Sequence, residues 1–348
     1  MAELTTAADA DQLLTAPSER PARPALVMPQ AVLGQGSDLS SAGRQAIQKL
    51  SGDRPLRFGV QLLLTWISIA AIITVGVLAD RWWVSLICIV LISGRQSVLG
   101  LLLHEQVHRL GWRSKYADWL VNLFAAFPLF VTTVEDYAKV HLSHHKYFFT
   151  PKDPDFLRKA GEEWTYPKAV GPFLLIALKD ITALNLIKLI KGKSGGKIAE
   201  FDRRTPTPVW LRVLFFVTLA VVLTLVGGWK IYLLYWVLPA MTFTQLLVRW
   251  IAISEHQYNI EDSTVHETTP LVQQSWLERV VTPNMNFGYH AYHHMHPGVS
   301  FANLPRVHAI YQQEGLVDES KVFRSQWALL VFLLSPKARE AQARAGMA

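Results

Sequence analysis

Cysteine is almost absent from this sequence: Cys88 is the only one in 348 residues. A disulfide framework and any cysteine-based zinc or iron–sulfur site are thereby excluded. Charge is scarce too. Asp, Glu, Lys and Arg make up 18% of the chain, against roughly 25% in an ordinary soluble domain, which argues against a cytosolic globular enzyme. The formal net charge is +7, yet no basic run interleaved with aromatics occurs, so no nucleic-acid partner is expected. Collagen-like and coiled-coil patterns are missing as well.

What is present is apolar, 51% of residues, and it is gathered into blocks. Residues 58–78 carry no formal charge and are long enough to cross a hydrocarbon core of about 30 Å. Residues 82–103 follow after only Ala79, Asp80 and Arg81, so the two runs form a tight antiparallel hairpin with Arg95 as the one internal charge. Residues 209–226 and 231–253, joined by Gly227, Gly228, Trp229 and Lys230, form a second hairpin. Its charges, Arg212 and Arg249, are expected near the ends, where a long side chain reaches the interface. Two buried hairpins in a water-soluble fold are the competing reading, and four apolar runs of this length weigh against it.

Lys and Arg set the orientation. Each short turn holds one, Arg81 or Lys230, whereas Arg54 and Arg57 precede the first run, Arg109, Arg113 and Lys115 follow the second, and Arg203 and Arg204 precede the third. The excess beside the spans places both termini and the large central segment in the cytoplasm. Residues 1–45 are Ala-, Pro-, Ser- and Gln-rich with no signal-peptide pattern and read as a disordered arm. Residues 46–335 form the membrane domain and 336–348 a C-terminal tail. Residues 119–134, apolar but short and interrupted by Pro128, fit a re-entrant or interfacial helix. The apolar stretch 167–189, broken by Lys168, Lys179, Asp180 and Lys188, fits a helix on the membrane surface.

The chemistry lies in the histidines. Nine of the twelve fall in a pattern: His104 and His108 directly after the second run, then His141, His144 and His145, then His290, His293 and His294, with His256 alone after the fourth run. On a helix, positions i, i+3 and i+4 share one face, so these are a two-nitrogen and two three-nitrogen claws. All fall on the side assigned to the cytoplasm. Eight or nine imidazoles are too many for one ion, which implies two metals. His266 in a polar loop and His308, far from any claw, read as ordinary histidines. The resulting fold class is an all-α integral membrane protein, with four transmembrane helices in two hairpins and a cytoplasmic helical cap holding a histidine-rich dimetal site.

HxxxH, HxxHH and HxxHH in this order, with one hairpin before the first and another between the second and third, resembles the membrane fatty acid desaturase superfamily. The resemblance covers about residues 55–330. It implies a di-iron centre that activates O2 at the cytosolic ends of four helices, with ligand roles for His104, His108, His141, His144, His145, His290, His293 and His294, and for His256 as the extra histidine after the last span. The run Pro151–Asp155 resembles the acidic turn that often follows the second box. Two features depart from the pattern. Met295 and His296 stand before Pro297, making His296 an alternative ligand, and the first box has three intervening residues where the stearoyl-CoA type has four. No cytochrome b5 or ferredoxin segment is visible, so electrons are expected from a separate ferredoxin or cytochrome-type donor with its reductase.

The implied reaction is O2-dependent desaturation of a fatty acyl chain, on a lipid or acyl carrier, at the cytoplasmic face of the membrane, which in a bacterial cell is the inner membrane. Hydroxylation, ketolation or acetylenation of another apolar substrate keeps the same site. Glu105, Asp136, Asp153, Asp155 and Glu255 are candidate partners for imidazole N–H groups, with Glu255, next to His256, favoured. A histidine-rich metal transporter needs ionisable residues forming a path through the spans, where only Arg95, Arg212 and Arg249 occur. A zinc hydrolase needs fewer ligands and an open water position.

Overall fold

The computed structural model describes residues 28–130, 133–159, 161–191, 206–258 and 261–345. Residues 1–27 of the expected arm, Arg203, Arg204 and residues 346–348 of the tail lie outside them. The described chain is helical, with only isolated bridges such as Val32 with Val317 in place of named strands.

A short helix, α1 (Ser41–Leu50), precedes the first hairpin, α2 (Pro55–Ala79) and α3 (Trp82–Val107). Pro55 starts α2 where a missing N–H costs nothing. Asp80 turns the chain back in the left-handed region, at φ 44°, a conformation that Asp tolerates better than most residues. The two helices differ in what surrounds them. Leu56, Leu63, Leu64, Ile67 and Leu78 leave α2 exposed, as suits a helix covered by lipid. α3 runs through the middle of the molecule, buried from Cys88 to Val107 along most of its faces.

The second hairpin is α6 (Val209–Leu225) and the segment Trp229–Glu255, here α7, turned at Gly227 with φ 63°. α7 is not uniform. A π-helical stretch at Leu233–Val237 and Pro239 interrupt its hydrogen bonding, and regular helix resumes at Phe243–Glu255. Among the described residues three helices, Pro55–Ala79, Trp82–Val107 and Trp229–Glu255, are long and apolar enough to cross a membrane. α6 is apolar but has 17 residues, about 25 Å at helical rise, just short of a hydrocarbon core.

Around the lower ends of α3 and α7 sit α4 (Val134–Tyr147), α5 (Val170–Ile181), α8 (Trp276–Val281), α9 (His290–Met295), α10 (Leu304–Gln313), α11 (Gln326–Leu334) and α12 (Pro336–Ala345). Two findings differ from the sequence reading. From Met28 onward the N-terminal arm is packed rather than disordered: Met28, Ala31, Val32 and Leu39 are buried, and α1 lies on α10. Ala31, Val32 and Leu39, spaced through a polar stretch, cover the back of α9 and α10 in one core with Tyr292, Leu304 and Tyr311, while Met28 packs in another with Ile253, Leu329 and Leu333. Arg249, expected near an interface, is instead buried, with its guanidinium on both oxygens of Asp180 of α5 at 2.6 and 3.0 Å. Asn185 donates to the same carboxylate at 2.6 Å, and the Trp164 ring lies 4.2 Å from the guanidinium carbon. Pairing and stacking offset the desolvation of both charges. α5 thus presents Asp180 inward and leaves Val170, Leu174, Leu175 and Leu178 exposed on its outer side.

Residues 117–130 form a short helix with a π turn, buried at Val121, Ala125, Ala126 and Phe127 against α3 and exposed at Leu120 and Phe124. The Asn122 side chain accepts from Val134 N at 2.8 Å and donates to Glu135 at 3.0 Å, which fixes the start of α4. Thr133 caps the same end.

Candidate metal centre

Four helices bring the histidines together. α3 carries His104 in its last turn and His108 at its C-cap. There Gln106 holds the exit of the chain, accepting from Trp112 N at 3.0 Å and donating to Asp118 at 2.8 Å. α4 presents His141, His144 and His145 from its second half. α9 is little more than the third claw itself, and the chain can enter it tightly because Gly288 has no side chain where the Val272 carbonyl presses against it. His256 is the cap residue where α7 ends in extended backbone.

The ring nitrogens converge. His104, His108, His141 and His293 form one group whose donor atoms lie within 4.8 Å of one another, and His144, His256 and His294 form another. His145 joins the first, with its Nε2 3.0 Å from that of His141 and 3.1 Å from that of His293. His290 joins the second, with its Nε2 3.1 Å from that of His294. His108 and His141 approach to 2.9 Å, His256 and His294 to 3.0 Å, and His144 and His256 to 3.4 Å, all through Nε2. All nine candidate ligands therefore share one cluster.

Its chemistry is that of a cation site. Asp153 accepts from His144 Nδ1 at 2.7 Å, which leaves Nε2 as the ring nitrogen turned toward His256. His256 Nδ1 is 2.9 Å from Thr269 Oγ1. Both nitrogens of buried His104 are without a hydrogen-bond partner, a costly state unless another group supplies the interaction. Burial, and then the neighbouring imidazoles, hold His141, His145, His293 and His294 well below the ordinary imidazole value. They are neutral near pH 7, the form that binds metal. Two imidazole nitrogens about 2.1 Å from one ion and at right angles would lie about 3.0 Å apart, which is the spacing observed. The donor set fits a pair of ions, one per group.

The carboxylates sort themselves differently from expectation. Asp153 is the one bonded to a clustered imidazole, and it also accepts from the backbone N–H groups of Phe149, Asp155 and Phe156 at 2.9, 2.8 and 3.2 Å. Glu255, favoured from the sequence, stands 3.8 Å from His290 Nδ1, beyond hydrogen-bond reach. Glu105 accepts from Phe301 N at 3.2 Å and ties α3 to the turn before α10. Asp155 pairs with Arg158 and Lys159 at 2.6 and 2.7 Å, and Asp136 accepts from the Thr133 hydroxyl at 3.3 Å and pairs with Lys139 at the surface of α4. Thr269 was not foreseen; a lone threonine thirteen positions past His256 leaves no signal in the sequence.

The remaining histidines stand apart. His296 Nε2 is 2.9 Å from the Tyr311 hydroxyl, outside both groups. Buried His308 lies between the Tyr292 hydroxyl at 2.9 Å and Glu319 at 3.1 Å. His266 sits on the short Val265–Thr268 turn, outside both groups.

Apolar helices leading into one histidine cluster fit a membrane protein with a metal site. The fatty acid desaturase family model matches residues 80–326, a stretch that holds all nine clustered histidines, so the chain belongs to that family. It is similar to dihydrorhizobitoxine desaturase of Bradyrhizobium elkanii, 26% identical over 259 residues, covering 71% of this chain and 73% of that protein.

Proposed function

We propose that the chain is an O2-dependent di-iron desaturase of the cytoplasmic membrane, acting on a fatty acyl chain. The observation that carries this reading is the convergence of nine imidazoles from α3, α4, α7 and α9 into two adjoining groups. Bound iron would supply the oxidising power: O2, two electrons and two protons remove two hydrogens from neighbouring methylenes, leaving an alkene and two waters.

The chain's own residues bind, orient and exclude. His104, His108, His141 and His293, with His145, would hold one ion; His144, His256 and His294, with His290, the other. Asp153 accepts from His144 Nδ1 and so keeps Nε2 aimed inward. Phe287, its ring 4.7 Å from that of His104, and Tyr137, 5.5 Å from His141, wall the first group with apolar surface. Such walls keep water from the oxidant.

In this reading α6 completes a fourth span with the Val226–Gly228 turn, and both termini and the histidine cluster face the cytoplasm. A separate ferredoxin or cytochrome-type protein delivers the electrons. The bacterial relative is named for dihydrorhizobitoxine rather than for a fatty acid, so the acyl character of the substrate is tested on its own. Expression in a host of known lipid composition, followed by fatty acid profiling, is the decisive experiment. A new double bond supports desaturation, a hydroxylated acyl chain moves the assignment to a hydroxylase, and an unchanged profile with two irons bound per chain points away from acyl lipids. Reporter fusions at residues 40 and 160 should both report cytoplasm.

A further inference from the structure

Two short helices outside the long apolar ones turn large apolar side chains away from the protein. α8 exposes Trp276, Leu277 and Val280, and α11 exposes Trp327 and Val331. Trp276 is 77% exposed and Trp327 68%. The two helices meet where Trp327 N donates to Glu278 at 2.9 Å. Apolar side chains scattered singly over a surface need no explanation, but five on two adjoining helices do.

Their height in the molecule is fixed by α3. Arg95 donates to the Val280 carbonyl at 2.8 Å, and at Gly94 only the lack of a side chain lets the Val281 carbonyl approach. Gly94 and Arg95 precede His104 by ten and nine residues, about 14 Å along the helix. α8 thus lies on the flank of α3 inside its apolar run, where a side chain turned outward meets lipid. Exposed tryptophan at such a height marks the membrane interface. Beyond α11, Lys168 N donates to the Leu333 carbonyl at 2.9 Å. That bond joins the end of α11 to the start of α5 and its exposed Leu174, Leu175 and Leu178.

The helix ends are built to do without water. Ser275 and Glu278 cap α8 reciprocally, Ser275 N donating to Glu278 at 2.8 Å and Glu278 N to Ser275 Oγ at 3.3 Å. The other oxygen of Glu278 takes Trp327 N, and Ser325 Oγ takes Ala328 N at 2.9 Å. At the far end of α8 the Val280 carbonyl takes Arg95, and the Thr282 carbonyl takes Gln274 Nε2 at 2.8 Å. Backbone groups need such partners within the protein wherever lipid replaces water. The character changes abruptly after Ser335. α12 carries Lys337, Arg339, Glu340 and Arg344, and Lys337 and Glu340 are exposed.

We propose that α8 and α11 form a foot set into the interface of the leaflet nearest the histidines, with α5 alongside, and that its partner is the lipid bilayer. Continuity selects that occupant: α8 is flush with a helix of spanning length, where a soluble partner would have to displace lipid. The foot has a consequence for the histidines, because Val281 is only nine residues from His290. It sets the height of α9 over the leaflet. The inference rests on the membrane part of the desaturase reading and needs neither the iron nor the acyl substrate.

The test uses the scarcity of cysteine. Cys88 is buried, so a cysteine introduced at the surface can be spin-labelled selectively. Trp276→Cys, Val331→Cys, Leu64→Cys on α2 and Lys337→Cys on α12 are each labelled in the full-length protein in phosphatidylcholine nanodiscs. Electron paramagnetic resonance then measures collisions with oxygen, which concentrates among acyl chains, and with a water-soluble nickel chelate. In Trp276→Cys and Val331→Cys the oxygen-to-chelate ratio should rise from the value of Lys337→Cys toward that of Leu64→Cys. A ratio equal to that of Lys337→Cys overturns the foot. Few collisions with either reagent would mean that protein covers the patch, which overturns it as well. If Leu64→Cys also gives the aqueous value, the membrane reading falls together with the foot. The unmodified protein gives a second readout. A phospholipid with a diazirine on its acyl chain should label residues 276–281 and 326–334 as well as α2, and leave residues 336–345 bare. Labelling of α2 without the two short helices would sink the proposal and leave the membrane reading standing.

Discussion

The two histidine groups are built by different means. His144 and His256 are steered from outside by hydrogen bonds on Nδ1, to Asp153 at 2.7 Å and to Thr269 at 2.9 Å. His104, in the other group, has neither nitrogen bonded and is held by what packs around it, the Phe287 ring at 4.7 Å and those of His141 at 4.1 Å and His293 at 4.7 Å. One group is oriented by polar partners whose geometry is directional, the other by a buried helix end that leaves a side chain few rotamers. The difference teaches where each half is vulnerable. The first yields to the loss of an outer acceptor, the second to the loss of packing.

The largest effects should erase the comparison altogether. His104→Ala, His256→Ala and His294→Ala each remove a nitrogen from one of the groups, and each should abolish product formation and lower bound iron, measured by elemental analysis beside lipid profiling. Full iron and activity in His256→Ala would exclude that residue from the cluster's function. Next in size, the halves should separate. Asp153→Asn should lower metal affinity or turnover by about 10- to 100-fold, the usual cost of losing the partner that orients a ligand. Phe287→Ala should act through stability, by about 3–5 kcal/mol for a buried aromatic, seen as a lower melting temperature even without metal. If Asp153→Asn instead lowers the melting temperature and leaves iron affinity intact, the polar orientation of that half is wrong.

The metal-free protein should be acid-sensitive. Burial holds the imidazoles of His141, His293 and His294 well below 6.5, while the same groups in the unfolded chain titrate near that value. As pH falls through about 6.5 the unfolded state takes up protons that the folded state refuses, so stability is lost below it and is fully present above it. Melting curves of the chelated protein between pH 7.5 and about pH 5 would show this, and a flat profile would contradict it. Thr269→Val should cost less than Asp153→Asn, since a neutral hydroxyl orients more weakly than a carboxylate. His266→Ala should be the mildest change, retaining iron and most activity.

The sequence reading located the histidines well because their spacing is local. HxxxH and HxxHH become claws as soon as the backbone is helical, whatever the rest of the chain does. The apolar runs were legible for the same reason: length and hydropathy act within one segment. The carboxylates were not. Glu255 looked better than Asp153 because it adjoins His256, yet position next to a ligand in sequence points a helical side chain away from it, while the turn after α4 folds Asp153 back under His144. Arg249 could not be paired with Asp180 from sequence, since 69 positions separate them. The packing of residues 28–45 was equally invisible, because a few apolar residues in a polar stretch carry no period.

What the sequence determined by itself was the inventory and its local order: four apolar runs, three histidine boxes and one further histidine, each specified within a handful of neighbouring residues. Only the tertiary structure decided which nitrogens meet, which carboxylate accepts from His144, that α6 has 17 helical residues, and that Trp327 is tied to Glu278 of α8. Those outcomes depend on how α3, α4, α7 and α9 cross, and a crossing is set by the summed packing of many side chains distant in sequence rather than by any motif.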